Sequence, residues 1–274
     1  MSVFISVDME GVTGVVYGNQ VNDDTDEYQL FQELMIGDTN AAIEGCLEAG
    51  AKEVIVNDSH GGMTNLLLKK LNPEARLISG SDKPLSMMQG VEGSEGALFI
   101  GYHGKIGTKK GVLAHTYFAS NIYQVLLNDM PVGEPEINAA LAGHFGVPVL
   151  FLSGGETVCE QIQDSIGPWV DTVAVKRDIG RGAAECLHPE KTHRLIKEGV
   201  KKALEDKAKA ELVSPELPVT FEVQFFTSQM ADKAEIYPYS YRVDGRTIRV
   251  EGEDMLEAFR AFYTVAKLGT APIF

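Results

Sequence analysis

The chain has 274 residues, 44% of them apolar and 23% charged, with a formal net charge of -15. That length buries a substantial core, in one large α/β domain or in one domain with a smaller appendage. The acidic balance and the lack of any Lys/Arg run exclude a phosphate-backbone partner. No apolar stretch is long enough to span a bilayer and no basic leader precedes the first strand, so the expectation is a cytoplasmic protein with no membrane or nucleic-acid partner.

The first predicted strand closes on Ser6-Val7-Asp8-Met9-Glu10-Gly11. Alternate residues of a strand share a face, so if Val3, Ile5 and Val7 pack one way, Asp8 and Glu10 share the other. Two such carboxylates repel unless a proton, a cationic side chain or a metal ion lies between them. No Lys or Arg occurs before Lys52.

Val12 to Asp26 reads as a long polar loop. Glu27 to Ala49 has helical spacing, as one helix or as two hinged at Gly37-Asp38, and Gly50 suits its C-terminal cap. Glu53 to Val56 reads as a buried parallel strand that delivers Asn57-Asp58-Ser59-His60-Gly61-Gly62 to its carboxyl end. Gly96 to Gly101 does the same for Tyr102-His103-Gly104. Open α/β sheets place function outside the carboxyl ends of their strands, so Asp8, Glu10, His60 and His103 are expected to converge as metal ligands.

Val112 to Phe118 and Ile122 to Leu127, followed by an Asn128-Asp129 turn and Met130-Pro131-Val132, suggest a β-hairpin inserted in the sheet or added at its edge. Ala139 to Phe145 looks helical, with Pro135 in its first turn. Glu134 then either favours the helix dipole or ligates metal. Pro148 to Ser153 is a strand leading into Gly154-Gly155-Glu156, which has no phosphate-binding glycine pattern, and Thr157 to Ile166 is a helix.

Val170 to Val175 is a further strand. The loop Arg177-Asp178-Ile179-Gly180-Arg181-Gly182 is modestly basic, either plain surface or a holder of a substrate carboxylate. Pro189 to Lys209 is an amphipathic helix with Leu195, Ile196, Val200 and Leu204 on its apolar face. Ser214-Pro215-Glu216-Leu217-Pro218 marks a boundary between an α/β metal-binding catalytic domain, 1–213, and a small α+β unit, 214–274, packed on it or at an oligomer interface. In that unit Val219–Phe226, Tyr239–Val243 and Thr247–Val250 read as strands, and Ser228–Ala234 and Met255–Leu268 as helices. Tyr237, Tyr239 and Tyr241 read as packing or interface. Cys46, Cys159 and Cys186 show no C-x-x-C spacing and read as reduced packing residues.

Five short motifs occur in order: Ser-x-Asp-x-Glu-Gly at Ser6 to Gly11, Asn-Asp-Ser-His at Asn57 to His60, Gly-Tyr-His at Gly101 to His103, Gly-Val-x-x-His at Gly111 to His115, and Pro-Val-Gly-Glu at Pro131 to Glu134. In these, and down to Asp254-Met255-Leu256-Glu257-Ala258, the chain resembles the M55 metallopeptidases, D-aminopeptidases of the dipeptide-transport operon type. The resemblance implies a Rossmann-like, mostly parallel sheet with a smaller second domain. It implies two zinc ions per subunit held by Asp8, Glu10, His60, His103 and Glu134, with Asp8 as bridge, and His115 as catalytic nucleophile or base. It also implies short peptides, D-alanyl peptides among them, as substrates, and a homodecamer of two stacked pentamers around a chamber.

The donor chemistry is compatible with that set. Two imidazoles and three carboxylates suit zinc, or manganese or cobalt, better than calcium. Five side chains close two tetrahedral ions only by sharing one. A general acid/base role suits His115 better than covalent attack. The residues by themselves leave two rivals: an amidase or phosphoesterase on the same metals, and a non-enzymatic module with a structural ion.

Overall fold

Apolar runs punctuated by glycine and polar clusters set the order of elements. The computed structural model describes residues 1–271. Its strands are β1 (Ser2–Val7), β2 (Glu53–Asp58), β3 (Ala75–Ile78), β4 (Ala97–Tyr102), β5 (Ile122–Leu127), β6 (Met130–Pro131), β7 (Val149–Gly155), β8 (Asp171–Gly180), β9 (Ala183–Cys186), β10 (Val219–Phe225), β11 (Ser240–Arg242) and β12 (Thr247–Gly252). Its α-helices are α1 (Tyr28–Glu48), α2 (Glu134–His144), α3 (Glu156–Ser165), α4 (Pro189–Glu205), α5 (Ser228–Ala234) and α6 (Met255–Gly269).

The fold is mixed α/β. One sheet has seven strands in the order β3-β2-β1-β4-β7-β8-β9, parallel except for β9 at one edge. Its central strands are buried on both faces, which is why they read as continuous apolar runs. Val3, Ile5 and Val7 of β1 pack with Met35 and Ile43 of α1 and Ile196 and Val200 of α4. Phe4 turns to the other layer, with Ile137 and Leu141 of α2. A separate antiparallel sheet, β11-β12-β10-β5-β6, packs with α6 into this same second layer. The stretch from 214 onward supplies β10 to β12, α5 and α6 of this unit, while β5 and β6 reach it from the middle of the chain.

Several elements differ from the sequence expectation. Of the two readings of 27–49 the single helix holds, since α1 runs unbroken through Gly37. The glycines serve close approach rather than a hinge: a Cβ on Gly37 would meet the His193 ring at 2.7 Å, and one on Gly45 the Lys197 carbonyl oxygen at 2.6 Å, both on α4. Val112 to Phe118 is not a strand, because Leu113 and Tyr117 adopt left-handed backbone (φ 50 and 58). The hairpin is instead β5–β6, turned by Asn128 and Asp129 (φ 46 and 65), and β5 pairs with β10 rather than with the parallel sheet.

The segment Arg177 to Gly180 is not loop but the end of β8, drawn out by antiparallel pairing of Arg177 with Glu185 of β9. The short, half-buried edge strand β3 gave no sequence signal. Helix α4 stops at Glu205, and Lys207–Lys209 is a single 3-10 turn. Cys46 and Cys159 are buried as expected, but Cys186 is exposed on the edge strand β9. Among the described residues no helix is long and apolar enough to cross a membrane.

Candidate metal centre

Parallel register brings the ends of β1, β2 and β4 to one edge: Val7 pairs with Asp58 on one side and with Ile100 on the other. Asp8, His60 and His103 therefore leave the sheet at neighbouring points. Two glycines let the strand ends touch. A Cβ on Gly11 would lie 1.8 Å from the Tyr102 carbonyl oxygen, and Gly101, at φ +72, would place one 2.3 Å from that of Asp8. Glu134 arrives as the first residue of α2, opposite the same edge.

The side chains meet closely. His60 Nδ1 lies 3.3 Å from Asp8 Oδ1 and 3.0 Å from Glu10 Oε2. His103 Nε2 lies 3.2 Å from Asp8 Oδ2 and 3.4 Å from Glu134 Oε2. His115 Nε2 lies 3.8 Å from Glu134 Oε1, and its ring stacks on that of His103 with centroids 4.1 Å apart. The structure thus brings Asp8, Glu10, His60, His103, His115 and Glu134 into one cluster, of which all but His103 line a cavity of about 350 Å³.

Backbone carbonyls orient all three imidazoles. His60 Nε2 faces the Val21 oxygen at 2.7 Å, His103 Nδ1 the Gly104 oxygen at 3.0 Å, and His115 Nδ1 the Leu113 oxygen at 2.9 Å. A carbonyl only accepts, so each of these nitrogens carries the proton and donates. The opposite nitrogen is turned towards a buried carboxylate, where it must either carry a second proton or give its lone pair to a metal ion. Lone pair against carboxylate is repulsive unless a cation lies between, and a carbonyl holding the outer N–H of a ligating histidine is the usual support of a metal site.

The electrostatics agree. Asp8 and Glu134 are each 3% exposed. Burial, with the neighbouring Glu10 carboxylate, pushes the Asp8 carboxyl up. Burial also opposes ionisation of Glu10 and Glu134, yet the imidazoles beside them hold Glu10 well below the usual carboxylate range and Glu134 below it. Burial pulls His60 and His103 down, but Glu10 and Asp8 around the first, and Glu134 and Asp8 around the second, hold them well above an ordinary imidazole. Three buried carboxylates thus demand cations, either protons on the imidazoles or metal ions.

The donors fit metal. Asp8 Oδ2 and His103 Nε2 are buried with no hydrogen-bond partner. Two groups of donor atoms lie within 4.8 Å of one another, Asp8 with Glu10 and His103, and Glu134 with His103 and His115. The two oxygens of Asp8 face different imidazoles, an arrangement that suits a bridging carboxylate.

Some residues that hold the site gave no sequence signal. Lys176 of β8 is buried, and its ammonium donates to the carbonyls of Glu10 (2.6 Å), Val12 (3.0 Å) and Val15 (2.6 Å). Burial pushes its pKa down to about 8. Three acceptors match its three N–H groups, and the charge is retained at neutral pH. Lys83 reaches Asn57 Oδ1 at 2.7 Å and the Asp58 carbonyl at 2.5 Å. Asp178 accepts from Val112 N (3.1 Å) and Thr157 N (2.9 Å), anchoring the segment that leads to His115.

That segment is strained. Left-handed Leu113 and Tyr117 flank His115 at a cost of about 1–3 kcal/mol each. Its contacts compensate: Leu113 N donates to the Arg181 carbonyl at 2.9 Å, Tyr117 N to Glu134 Oε1 at 2.6 Å, and the Tyr117 ring meets Phe262 of α6 edge-on.

Comparison with known proteins gives the same direction. Residues 1–264 match the family model Peptidase_M55, described as D-aminopeptidase. The chain belongs to the M55 D-aminopeptidase family. A D-aminopeptidase of Bacillus subtilis (strain 168) is 38% identical over 271 residues, covering 98% of this chain and 97% of the relative. The solved structure of the Zn-dependent D-aminopeptidase DppA from Bacillus subtilis, described as a self-compartmentalizing protease, superposes with a TM-score of 0.96. It is 36% identical, and each chain covers 100% of the other. This M55 chain therefore shares the complete fold of a zinc peptidase, with a carboxylate–imidazole cluster at the carboxyl edge of its parallel sheet.

Proposed function

We propose that the protein is a zinc-dependent aminopeptidase that releases the N-terminal residue of short peptides, D-alanyl peptides foremost. The observation that carries this reading is the set of three imidazoles, each tied to a backbone carbonyl through one nitrogen and turned to buried carboxylates through the other. Asp8, Glu10, His60, His103 and Glu134 would hold two zinc ions per subunit, Asp8 bridging them; manganese or cobalt suits the same donors.

When bound, such a pair of ions supplies Lewis acidity, polarising the amide carbonyl and lowering the pKa of water from 15.7 to roughly 7. The chain's own residues do the rest. His115, with Nδ1–H committed to the Leu113 carbonyl, offers Nε2 as the atom that takes a proton from the attacking water and passes it to the leaving amine.

The likeness to a self-compartmentalizing protease supports a homo-oligomer whose sites face an enclosed space, and the family resemblance a homodecamer. Exposed Ile236, Tyr239 and Tyr241 give the 214–274 unit apolar surface for such contacts. We place the enzyme in the cytoplasm.

The test is release of D-Ala from D-Ala-D-Ala, set beside L-Ala-L-Ala and a phosphoester, before and after chelation. Rapid cleavage of the D-dipeptide, abolished by chelator and restored by zinc with the fold intact throughout, supports the reading. Cleavage of the phosphoester alone, or unfolding on chelation of a protein that never hydrolysed a peptide, refutes it.

A further inference from the structure

A second cavity, of about 310 Å³, adjoins the cavity of the metal ligands and shares His115 and Ala119 with it. Thr108, Phe226 and Arg181 line its other sides. His115 is thus a common wall, with carboxylates and imidazoles on one side and Arg181 on the other.

The position of a proton carrier constrains where the substrate lies. A group that protonates the leaving nitrogen of an amide stands between the two residues which the scissile bond joins. In an aminopeptidase the residue on the side of the metal ligands is the N-terminal one. The following residue then continues past His115 into the second cavity. In a dipeptide that residue ends in an α-carboxylate, which a protein of net charge -15 repels unless a cation meets it.

Arg181 is placed to be that cation. Its backbone carbonyl accepts from Leu113 N at 2.9 Å, which ties the turn between β8 and β9 to the strained segment carrying His115. Its exposed side chain has no acidic partner within ion-pair distance among the described residues, whereas Arg177 on the same strand end is paired with Glu185. A guanidinium fork fits a carboxylate through two parallel hydrogen bonds. Among the described residues the other cation lining either cavity is Lys267, in the first, 4.9 Å over the Tyr263 ring and on the side of the metal ligands.

We propose that the second cavity receives the residue on the far side of the scissile bond and that Arg181 binds its free α-carboxylate, which makes unblocked dipeptides the preferred substrate class. This rests on the aminopeptidase reading above.

The test compares kcat/KM for D-Ala-D-Ala and for D-alanyl-D-alaninamide, which has the same scissile bond but no carboxylate, using zinc-loaded wild type, Arg181→Met, Arg181→Lys and Lys267→Met. Wild type is expected to favour the free acid by about 10- to 100-fold, the worth of one charge-assisted interaction, mainly through KM. In Arg181→Met the ratio should collapse towards one with zinc content unchanged, and Arg181→Lys should restore part of it. The backbone carbonyl that Leu113 uses survives in both variants. Equal use of acid and amide by wild type, an unchanged ratio in Arg181→Met, or collapse in Lys267→Met instead would each overturn the assignment while leaving the aminopeptidase reading standing. Failure of wild type to cleave either peptide would overturn both.

Discussion

Asp8 is the residue on which the site turns. Its two oxygens face His60 and His103 separately, whereas Glu10 faces His60 and Glu134 faces His103 and His115. Replacing the shared carboxylate removes a partner from both ends of the cluster; replacing Glu10 affects one end. Asp8→Asn should therefore lose both ions in metal analysis, while Glu10→Gln should weaken chiefly one. Equal losses in the two variants would contradict the bridging role. His115 differs in its place: it lines the cavity with Nε2 3.8 Å from Glu134 and has no ion-pair contact with Asp8. His115→Ala should keep its zinc while kcat falls by about two orders of magnitude or more; loss of zinc together with activity would make it a ligand instead.

At the scale of elements, strand β8 works at a distance from the chemistry. Lys176 reaches across to hold the carbonyls of Glu10, Val12 and Val15, fixing the loop that follows the first two carboxylates. Lys176→Met leaves those three acceptors without their donor and should destabilise the protein by about 3 kcal/mol, seen as a lower Tm, with weaker zinc retention. A Tm equal to wild type would show that water replaces the ammonium. This contribution was not legible in the sequence, where a lysine after an apolar strand looks like the start of a solvated turn. The left-handed backbone at Leu113 and Tyr117 was hidden for a related reason: β-rich composition at 112–118 reports propensity, and tertiary contacts with Glu134, Arg181 and Phe262 override it. By contrast, the carboxyl ends of β1, β2 and β4 were readable, because short buried runs followed by ligand-type residues are a local pattern that parallel register then brings together.

For the whole molecule, topology divides what was visible from what was not. The alternation of strands and helices announced the parallel sheet, but pairing of β5 with β10, almost a hundred residues apart, is a long-range choice that no local pattern reports. The buried cluster also sets a pH signature for the metal-free protein. His60 and His103 have folded pKa values raised well above 6.5, so the stability they contribute is complete below that value and is lost as pH rises through the raised ones. Glu10 is held well below 4.5, so its contribution is present above 4.5 and fails as pH falls through the lowered value. The chelated protein should therefore lose Tm as pH is raised above about 6.5, and zinc, replacing the protons, should remove that loss. A flat profile without zinc would contradict the coupling.

The central claim is that this cluster holds two ions which hydrolysis needs. Titrating metal-free enzyme with zinc while following cleavage of D-Ala-D-Ala tests it directly. The account predicts that activity rises until two zinc ions per subunit are bound and then stays level. Full activity with no added metal, or a plateau after a single ion with no further binding, would contradict it.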